Sequence, residues 1–305
     1  MHEIEASGGT IHWLADGGIR LRAAYWAGAG AGTVLLLHGR TEFIEKYLEP
    51  VEELRRRGFA VWTLDWRGQG RSTRLLTDPL PNHVRSFEDY LQDLDRLLAA
   101  AGPSLVAPFL VLGQSMGAHL ALRLMARRPG SFERAVLAVP MVDFLRPRRM
   151  PLRAARMLAL LACAVPGMAR RFGPGTRRIP DRHRAFEANP LTSCPRRFAA
   201  DLPWLDRPEL VVGGATWGWL RAATGSIAVM RRSGFAESVT TPVLMVLAGA
   251  DRLVDNTAAR HLARRLPNAR LIEIEDARHE LLREHDRHQA EFWAAFDAFV
   301  QPDAV

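Results

Sequence analysis

Ser115 lies in the stretch GQSMG (113–117), where one hydroxyl is held between two glycines. An apolar run precedes this stretch and a helical pattern follows it, so Gly-x-Ser-x-Gly falls between a buried strand and a helix. Such a turn is so tight that bulky side chains two positions away are excluded, which explains Gly113 and Gly117. The pattern predicts a nucleophile elbow that presents Ser115 above the sheet edge. The alternative is a glycine-flanked serine in a structural turn.

A serine hydroxyl needs a base to remove its proton, and that base needs an orienting acid. In chains with this elbow the order is serine, acid, histidine, with each partner after a later strand. Asp251 ends the run VLMVLAGAD, and His279 follows ARLIEIEDA. We therefore predict that Asp251 and His279 join Ser115. Asp255, which could instead cap a helix, and Asp143 are the weaker acid candidates.

The same chemistry requires backbone N–H donors for the oxyanion that forms on the attacked carbonyl. We expect Met116, directly after the nucleophile, to supply one donor. Arg40, in the loop after the strand TVLLL (33–37), is expected to supply the other. His38 sits before a glycine at a strand end, which favours a loop-shaping role. His285 and His288 fall in or near the last helix, where we expect them to be exposed.

Alternating strand and helix patterns place these residues on an α/β scaffold. Residues 11–28 alternate around Asp16-Gly17-Gly18 and predict an antiparallel hairpin. Apolar strand runs begin near 33, 60, 109, 135, 241 and 269, and helical patterns separate most of them, as in a parallel sheet covered on both faces. Between 143 and 238 the helical stretches contain no strand pattern. We predict a core of residues 1–142 and 239–305, with residues 143–238 as an inserted helical cap.

The positive charge of the chain is concentrated in that insertion. The protein has 305 residues and a net charge of +8. Residues 143–238 hold 17 Arg and 7 acidic side chains, or +10, whereas the remainder holds 24 basic and 26 acidic side chains, or −2. Such a segment favours anionic partners, with a solvated arginine-rich face as the alternative.

Composition bounds the remaining function classes. Cys163 and Cys194 form neither a disulfide framework nor a metal-ligand spacing, and we expect no cofactor. The N-terminus lacks a signal-peptide pattern, and the longest apolar stretch (157–168) is too short to span a bilayer, so we expect a cytoplasmic protein. The glycine-rich loop DWRGQGRS (65–72) lacks the Lys-Ser/Thr of a phosphate-binding loop. We interpret it as structural, with Asp65 and Arg67 bonding nearby backbone.

Five segments together resemble the α/β-hydrolase superfamily, in its bacterial lysophospholipase and monoacylglycerol lipase branch. They are LLLHGRTEFIEKY (35–47), LDWRGQGRS (64–72), GQSMG (113–117), ADRLVDN (250–256) and ARHELLRE (277–284). The segment VGGATWGWLRAA (212–223) is similar to a cap helix of the bacterial lysophospholipases. The resemblance covers essentially the whole chain. It implies an α/β-hydrolase fold and a triad of Ser115, Asp251 and His279, with oxyanion donors at Arg40 and Met116. Arg278 departs from the pattern, because a small or aromatic residue is more usual before the histidine.

The resemblance implies hydrolysis of lipid esters through an acyl-enzyme, with a lysophospholipid as the expected substrate. Apolar stretches at 157–168 and 217–230 would line an acyl pocket or form the core of the cap. One or more of four arginines would meet lipid phosphate, whose oxygens match the forked guanidinium. They are Arg148, Arg149, Arg153 and Arg156. The same charge would also suit peripheral contact with an anionic membrane.

Other functions remain as alternatives at this stage. A monoacylglycerol lipase or general carboxylesterase would use the same triad. An aminopeptidase on this fold would need acidic residues for a free amine, and Glu187, Asp201 and Glu209 are available but outnumbered by arginine. A non-catalytic lipid-binding protein would be expected to lack a triad member. We expect no nucleic-acid partner, because no recognition motif accompanies the arginines.

Overall fold

The fold is built on one eight-stranded sheet, seen in a computed structural model that describes residues 2–146, 150–174 and 185–300. The strand order is β1-β2-β4-β3-β5-β6-β7-β8; β2 pairs antiparallel with β1 and β4, and all other pairs are parallel. The strands are β1 Thr10–Asp16, β2 Ile19–Trp26, β3 Thr33–Leu37, β4 Ala60–Leu64, β5 Phe109–Gln114, β6 Arg134–Ala138, β7 Val243–Ala248 and β8 Ala269–Ile274.

Apolar residues run through the central strands because both faces of the sheet are covered. Every residue of β3, β4 and β7 is buried. A parallel strand between two helical layers has no solvent face, so its sequence is continuously apolar. Outside the insertion, the helices are α1 His2–Ala6, α2 Leu48–Arg56, α3 Phe87–Ala101, α4 Met116–Arg127, α9 Asn256–Ala263 and α10 Asp286–Val300.

Helices, and no strand of the main sheet, occupy the described residues between β6 and β7. They are α5 Leu152–Ala164, α6 Pro195–Asp201, α7 Trp217–Met230 and α8 Phe235–Ser238. Helix α7 begins at an N-cap, Thr216, whose side chain accepts a hydrogen bond from the Trp219 N–H. Its buried residues, including Trp219, Ala223 and Met230, join the main hydrophobic core.

Helix α5 differs from the sequence-based expectation. The stretch at 157–168 was expected to line an acyl pocket or form a cap core, but its large side chains face solvent. Met157 is 57% exposed, Leu161 62% and Val165 51%, while Leu152 and Ala159 are the buried residues of the helix. The expectation failed because hydrophobicity gives no direction: α5 packs through Leu152 and Ala159 and turns its other large apolar side chains outward.

The predicted sheet and its fold class are confirmed. The hairpin, the parallel strands and the closing helix occur where the patterns placed them, and the sheet is mostly parallel with antiparallel N-terminal strands. Two local predictions were wrong. His288 is buried rather than exposed. Arg67 bonds the carboxylate of Asp93 at 2.5–2.7 Å instead of nearby backbone.

Candidate active site

Ser115 occupies a strained turn between β5 and α4. Its φ is 54° and its ψ is −113°, a conformation that side-chain-bearing residues rarely adopt. Glycine is required on both sides: a Cβ at Gly117 would lie 2.1 Å from the Leu37 carbonyl oxygen, and one at Gly113 would lie 2.7 Å from Ala118 backbone atoms. The backbone therefore approaches so closely at both positions that only glycine fits there.

Asp251 and His279 lie beside Ser115 at the carboxyl edge of the sheet. The His279 Nδ1 is 2.7 Å from the Asp251 Oδ2, and its Nε2 is 2.9 Å from the Ser115 hydroxyl. Asp251 follows β7 and also accepts hydrogen bonds from the N–H groups of Leu253 and Val254. All three side chains are almost fully buried. Three residues far apart in sequence thus form one continuous hydrogen-bonded chain.

The electrostatics of this chain follow from burial and pairing. Burial is the largest influence on His279 and opposes its protonation. The Asp251 carboxylate, together with Glu42 and Glu280, outweighs burial and raises the pKa of His279. For Asp251, burial favours the neutral acid, but His279 and the two backbone N–H groups prevail and lower its pKa. The geometry therefore favours an ionised Asp251 beside a histidine of increased basicity.

The alternative acids and histidines occupy other positions. Asp255 caps α9, since its Oδ1 accepts hydrogen bonds from the Thr257 and Ala258 N–H groups. Asp143 pairs with Arg146 and Arg231. The His38 ring donates from Nδ1 to the Gly39 carbonyl at 2.9 Å, and His285 is exposed.

The two oxyanion donors expected from the sequence are the N–H groups of Met116 and Arg40. Met116 is the first residue of α4, so its N–H has no carbonyl partner inside the helix. Arg40 lies in a loop whose neighbouring N–H groups are held by side chains: Gly39 N–H donates to Glu42 and Thr41 N–H to Gln69, each at 2.5 Å. Thr41 has a positive φ of 66°. The loop between β3 and α2 is therefore shaped by side chains on both sides of Arg40.

The four candidate phosphate-binding arginines are only partly placed. Arg148 and Arg149 lie outside the described residues. Arg153 and Arg156 are exposed on α5. Arg153 also lines a cavity of about 390 Å³ together with Arg146 and Arg231. Within the described structure, neither Arg153 nor Arg156 contacts the hydrogen-bonded residues Ser115, His279 and Asp251.

Arg278 was noted in the sequence only as a departure from a family pattern. Its N–H donates to Glu284 at 2.7 Å, and its guanidinium donates to the Asn189 and Thr192 carbonyls at 3.0 and 3.1 Å. The residue before His279 thus ties the histidine loop to the insertion. The sequence could flag the position but could not name the two carbonyl groups that the guanidinium bonds, because they lie nearly 90 residues away.

Among the described residues, no group of three or more histidine, cysteine or acidic side chains has the arrangement of a metal site. In the same part of the chain, no helix combines the length and hydrophobicity needed to cross a membrane.

The sheet order and the serine turn after β5 define the α/β-hydrolase class. Comparison with solved structures supports this assignment of the fold. A soluble variant of monoglyceride lipase from Saccharomyces cerevisiae, in complex with a substrate analog, superposes with a TM-score of 0.75 and 17% identity, covering 96% of each chain. A carboxyl esterase from Bacillus coagulans has the same TM-score and identity over 97% of this chain and 99% of its own.

Residues 28–286 match the family model described as serine aminopeptidase, S33. The chain belongs to this family of serine hydrolases. It is 34% identical over 269 residues to lysophospholipase L2 of Escherichia coli (strain K12), covering 83% of this chain and 75% of that one. It is 28% identical over 256 residues to the monoacylglycerol lipase of Mycolicibacterium smegmatis (strain ATCC 700084 / mc(2)155), covering 82% and 81%.

Proposed function

We propose that this protein hydrolyses carboxylic esters of lipids through an acyl-enzyme at Ser115. The observation that carries the proposal is the hydrogen-bonded chain from Asp251 through His279 to Ser115, with distances of 2.7 and 2.9 Å. Nucleophile, base and orienting acid need this direct contact, and the strained turn directs the hydroxyl toward the base.

The proposed reaction has two balanced halves. The Nε2 of His279 takes the Ser115 proton as Oγ attacks the ester carbonyl, and the N–H groups of Arg40 and Met116 stabilise the oxyanion. His279 then gives the proton to the departing alcohol as the C–O bond breaks. In the second half, His279 takes a proton from water and the resulting hydroxide attacks the acyl carbonyl. As the acyl–Oγ bond breaks, His279 returns the proton to Ser115 and the fatty acid leaves. Asp251 keeps the imidazole in one tautomer throughout.

We propose a lysophospholipid as the first substrate to test. The relative with 34% identity is named a lysophospholipase, and the insertion is rich in arginine. Arg153 and Arg156, with Arg148 and Arg149 from the sequence, are the proposed contacts for phosphate. Monoacylglycerol hydrolysis or general carboxylesterase activity is the second candidate, supported by the 28% relative named monoacylglycerol lipase.

The description of the family model makes aminopeptidase activity a further candidate. A free amine would need an available carboxylate near the serine, but two of the three acids considered are already neutralised. Asp201 is paired with Lys46 and Arg283, and Glu209 with Arg71. Glu187 is exposed. These contacts favour an ester substrate over a peptide N-terminus.

We propose the division of the chain into a core of residues 1–142 and 239–305 and a cap of residues 143–238. Helices α5 to α8 fall inside the proposed cap, while all eight strands fall outside it. Limited proteolysis of the intact protein tests this division. First cuts confined to 143–238 would support it, and first cuts within 1–142 or 239–305 would contradict it.

We also propose peripheral contact between α5 and an anionic membrane. Arg153, Arg156 and the exposed Met157 and Leu161 share this helix, which contains no acidic residue. Basic residues near apolar ones suit the interface of an anionic bilayer. Vesicle flotation at anionic and neutral lipid compositions tests this. Met157→Ser/Leu161→Ser should reduce binding to anionic vesicles, with Val106→Ser, an exposed apolar residue elsewhere, as the matched control; equal binding by both variants contradicts the proposal.

The decisive experiment compares the native protein with Ser115→Ala. Rates are measured on lysophosphatidylcholine, a monoacylglycerol, a short p-nitrophenyl ester and an aminoacyl amide. A fluorophosphonate probe should label only the native protein. Esterase activity that survives in Ser115→Ala would refute the proposal. Failure of the native protein to react with the probe would instead support a non-catalytic lipid-binding protein.

A further inference from the structure

Lys46 is the only lysine among the 41 basic residues of the chain. Its side chain is 10% exposed, and three carboxylates surround its ammonium group. The Nζ lies 2.6 Å from Glu280, 3.2 Å from Asp201 and 3.8 Å from Glu42. In a protein that uses arginine elsewhere, lysine occurs where three acids approach a single atom. An ammonium is a compact point charge with three donors, whereas the planar guanidinium spreads its donors over a fork.

Each of the three carboxylates belongs to a different segment around the serine. Glu42 accepts the Gly39 N–H and so holds the loop that contains Arg40. Glu280 directly follows His279. Asp201 is the last residue of α6 in the insertion and also pairs with Arg283. Lys46 therefore joins three segments through one atom: the loop 38–43, called here the oxyanion loop, the loop 275–280, called here the His279 loop, and the insertion.

A second chain of hydrogen bonds connects this cluster to the serine turn. The Tyr47 hydroxyl donates to Glu42 at 2.8 Å and accepts from the Gln114 amide at 2.9 Å. The Gln114 carbonyl oxygen accepts the Leu282 N–H at 3.2 Å. Gln114 immediately precedes Ser115. A displacement of Glu42 would therefore reach the serine turn through Tyr47 and Gln114, and the segment after His279 through the Leu282 N–H.

We propose that Lys46 is a positioning residue that sets the oxyanion loop and the His279 loop in register for catalysis, with α6 as its third attachment. The proposal rests on the hydrolase function proposed above. Lys46 acts through Glu42 and Glu280 and does not touch the substrate. Its charge and its shape therefore have separable effects: the charge governs the proton affinity of the neighbouring groups, and the shape governs the placement of the two loops.

Because charged groups surround Lys46, removing its ammonium should change the pH dependence of kcat/KM. Burial most strongly opposes its protonation, but Asp201, Glu280 and Glu42 outweigh burial and raise its pKa, while Arg283 opposes them. Burial is also the main reason that the pKa of Glu42 is raised to about 6; Lys46 limits that rise and Glu280 adds to it. Glu42 and Glu280 in turn help to raise the pKa of His279. Removing the ammonium should therefore raise the pKa of Glu42. A protonated Glu42 no longer supports a charged His279, so the pKa of His279 should fall.

The experiment compares Lys46→Met and Lys46→Arg by kcat, KM and the pH dependence of kcat/KM. In Lys46→Met we expect kcat to fall about 10- to 100-fold, with the acid limb of kcat/KM moved to lower pH. In Lys46→Arg the charge is kept, so the limb should stay in place while kcat falls at least about fivefold from misplaced donors. Arg56→Met, on the exposed side of α2, is the matched control and should behave as the native protein.

An unmoved acid limb in Lys46→Met, or a kcat in Lys46→Arg within about twofold of the native value, would overturn the proposal. If Lys46→Met does not fold, Lys46→Arg alone decides it by the same kcat criterion. Ser115→Ala, assayed alongside, separates the two proposals: activity lost in Ser115→Ala but unaffected by Lys46 variants leaves the hydrolase function standing and removes the positioning role.

Discussion

Asp251→Asn is the sharpest test of the proposed chemistry. The substitution keeps the size and hydrogen-bonding shape of the side chain but removes its charge. The His279 Nδ1 and the Asp251 Oδ2 are 2.7 Å apart, and the Asp251 side chain is 0% exposed, so water cannot replace the lost carboxylate. With charge centres about 4 Å apart, a unit pair is worth about 4 kcal/mol at an effective dielectric constant of about 20.

That energy stabilises the imidazolium formed as Ser115 is deprotonated. Since each 1.36 kcal/mol corresponds to a factor of ten in rate, we expect kcat to fall about 10³-fold with KM little changed. The pKa of His279 should fall as well, because the carboxylate raises it. The histidine then stays neutral to lower pH, and the acid limb of kcat/KM moves down.

Turnover of a short p-nitrophenyl ester, measured across pH, reports both effects. Asp255→Asn is the matched control, because it makes the same chemical change four residues away at a helix N-cap that asparagine serves equally well. Its activity and stability should remain close to native. A loss of less than about tenfold in Asp251→Asn, or an equal loss in both variants, would refute the assignment of Asp251 as the orienting acid.

Three further predictions follow from other contacts. In the native protein, kcat/KM should decline as pH falls through the raised pKa of His279, at a pH above the usual histidine value of about 6.5; an acid limb near pH 4 would contradict this. Gly117→Ala should lower the free energy of unfolding by about 2–4 kcal/mol, because its Cβ meets backbone at 2.1 Å, whereas Gly225→Ala, with nothing within 4 Å in α7, should be neutral or stabilising by thermal melting. Arg278→Met should cost about 1–3 kcal/mol and increase proteolysis near residues 189–192, and unchanged cleavage would show that the guanidinium does not restrain that segment.

Much of the scaffold could be predicted because its signals are local. The all-apolar runs of β3 and β7 follow from burial on both faces, and Gly113 and Gly117 follow from the tightness of one turn. The order of Ser115, Asp251 and His279, each after its strand, indicated which side chains meet at the sheet edge. The cap function of Asp255 was equally readable from its place before α9.

Other features depended on directions and distant partners. The large side chains of α5 are hydrophobic whether they face a pocket or solvent, and the pattern did not distinguish the two. His288 was expected at the surface but is buried, because α10 turns that position inward. Arg67 was expected to bond backbone, yet the fold brings the carboxylate of Asp93 within reach.

By itself, the amino-acid order determined the class of the protein, since periodicity, glycine spacing and residue type act over a few positions. Only the tertiary structure decided how charge is neutralised around the serine. Lys46 meets Asp201 and Glu280 across separations of 155 and 234 residues, which no local pattern encodes. A buried ammonium is tolerated only when carboxylates converge on it, and that convergence is a property of the folded chain.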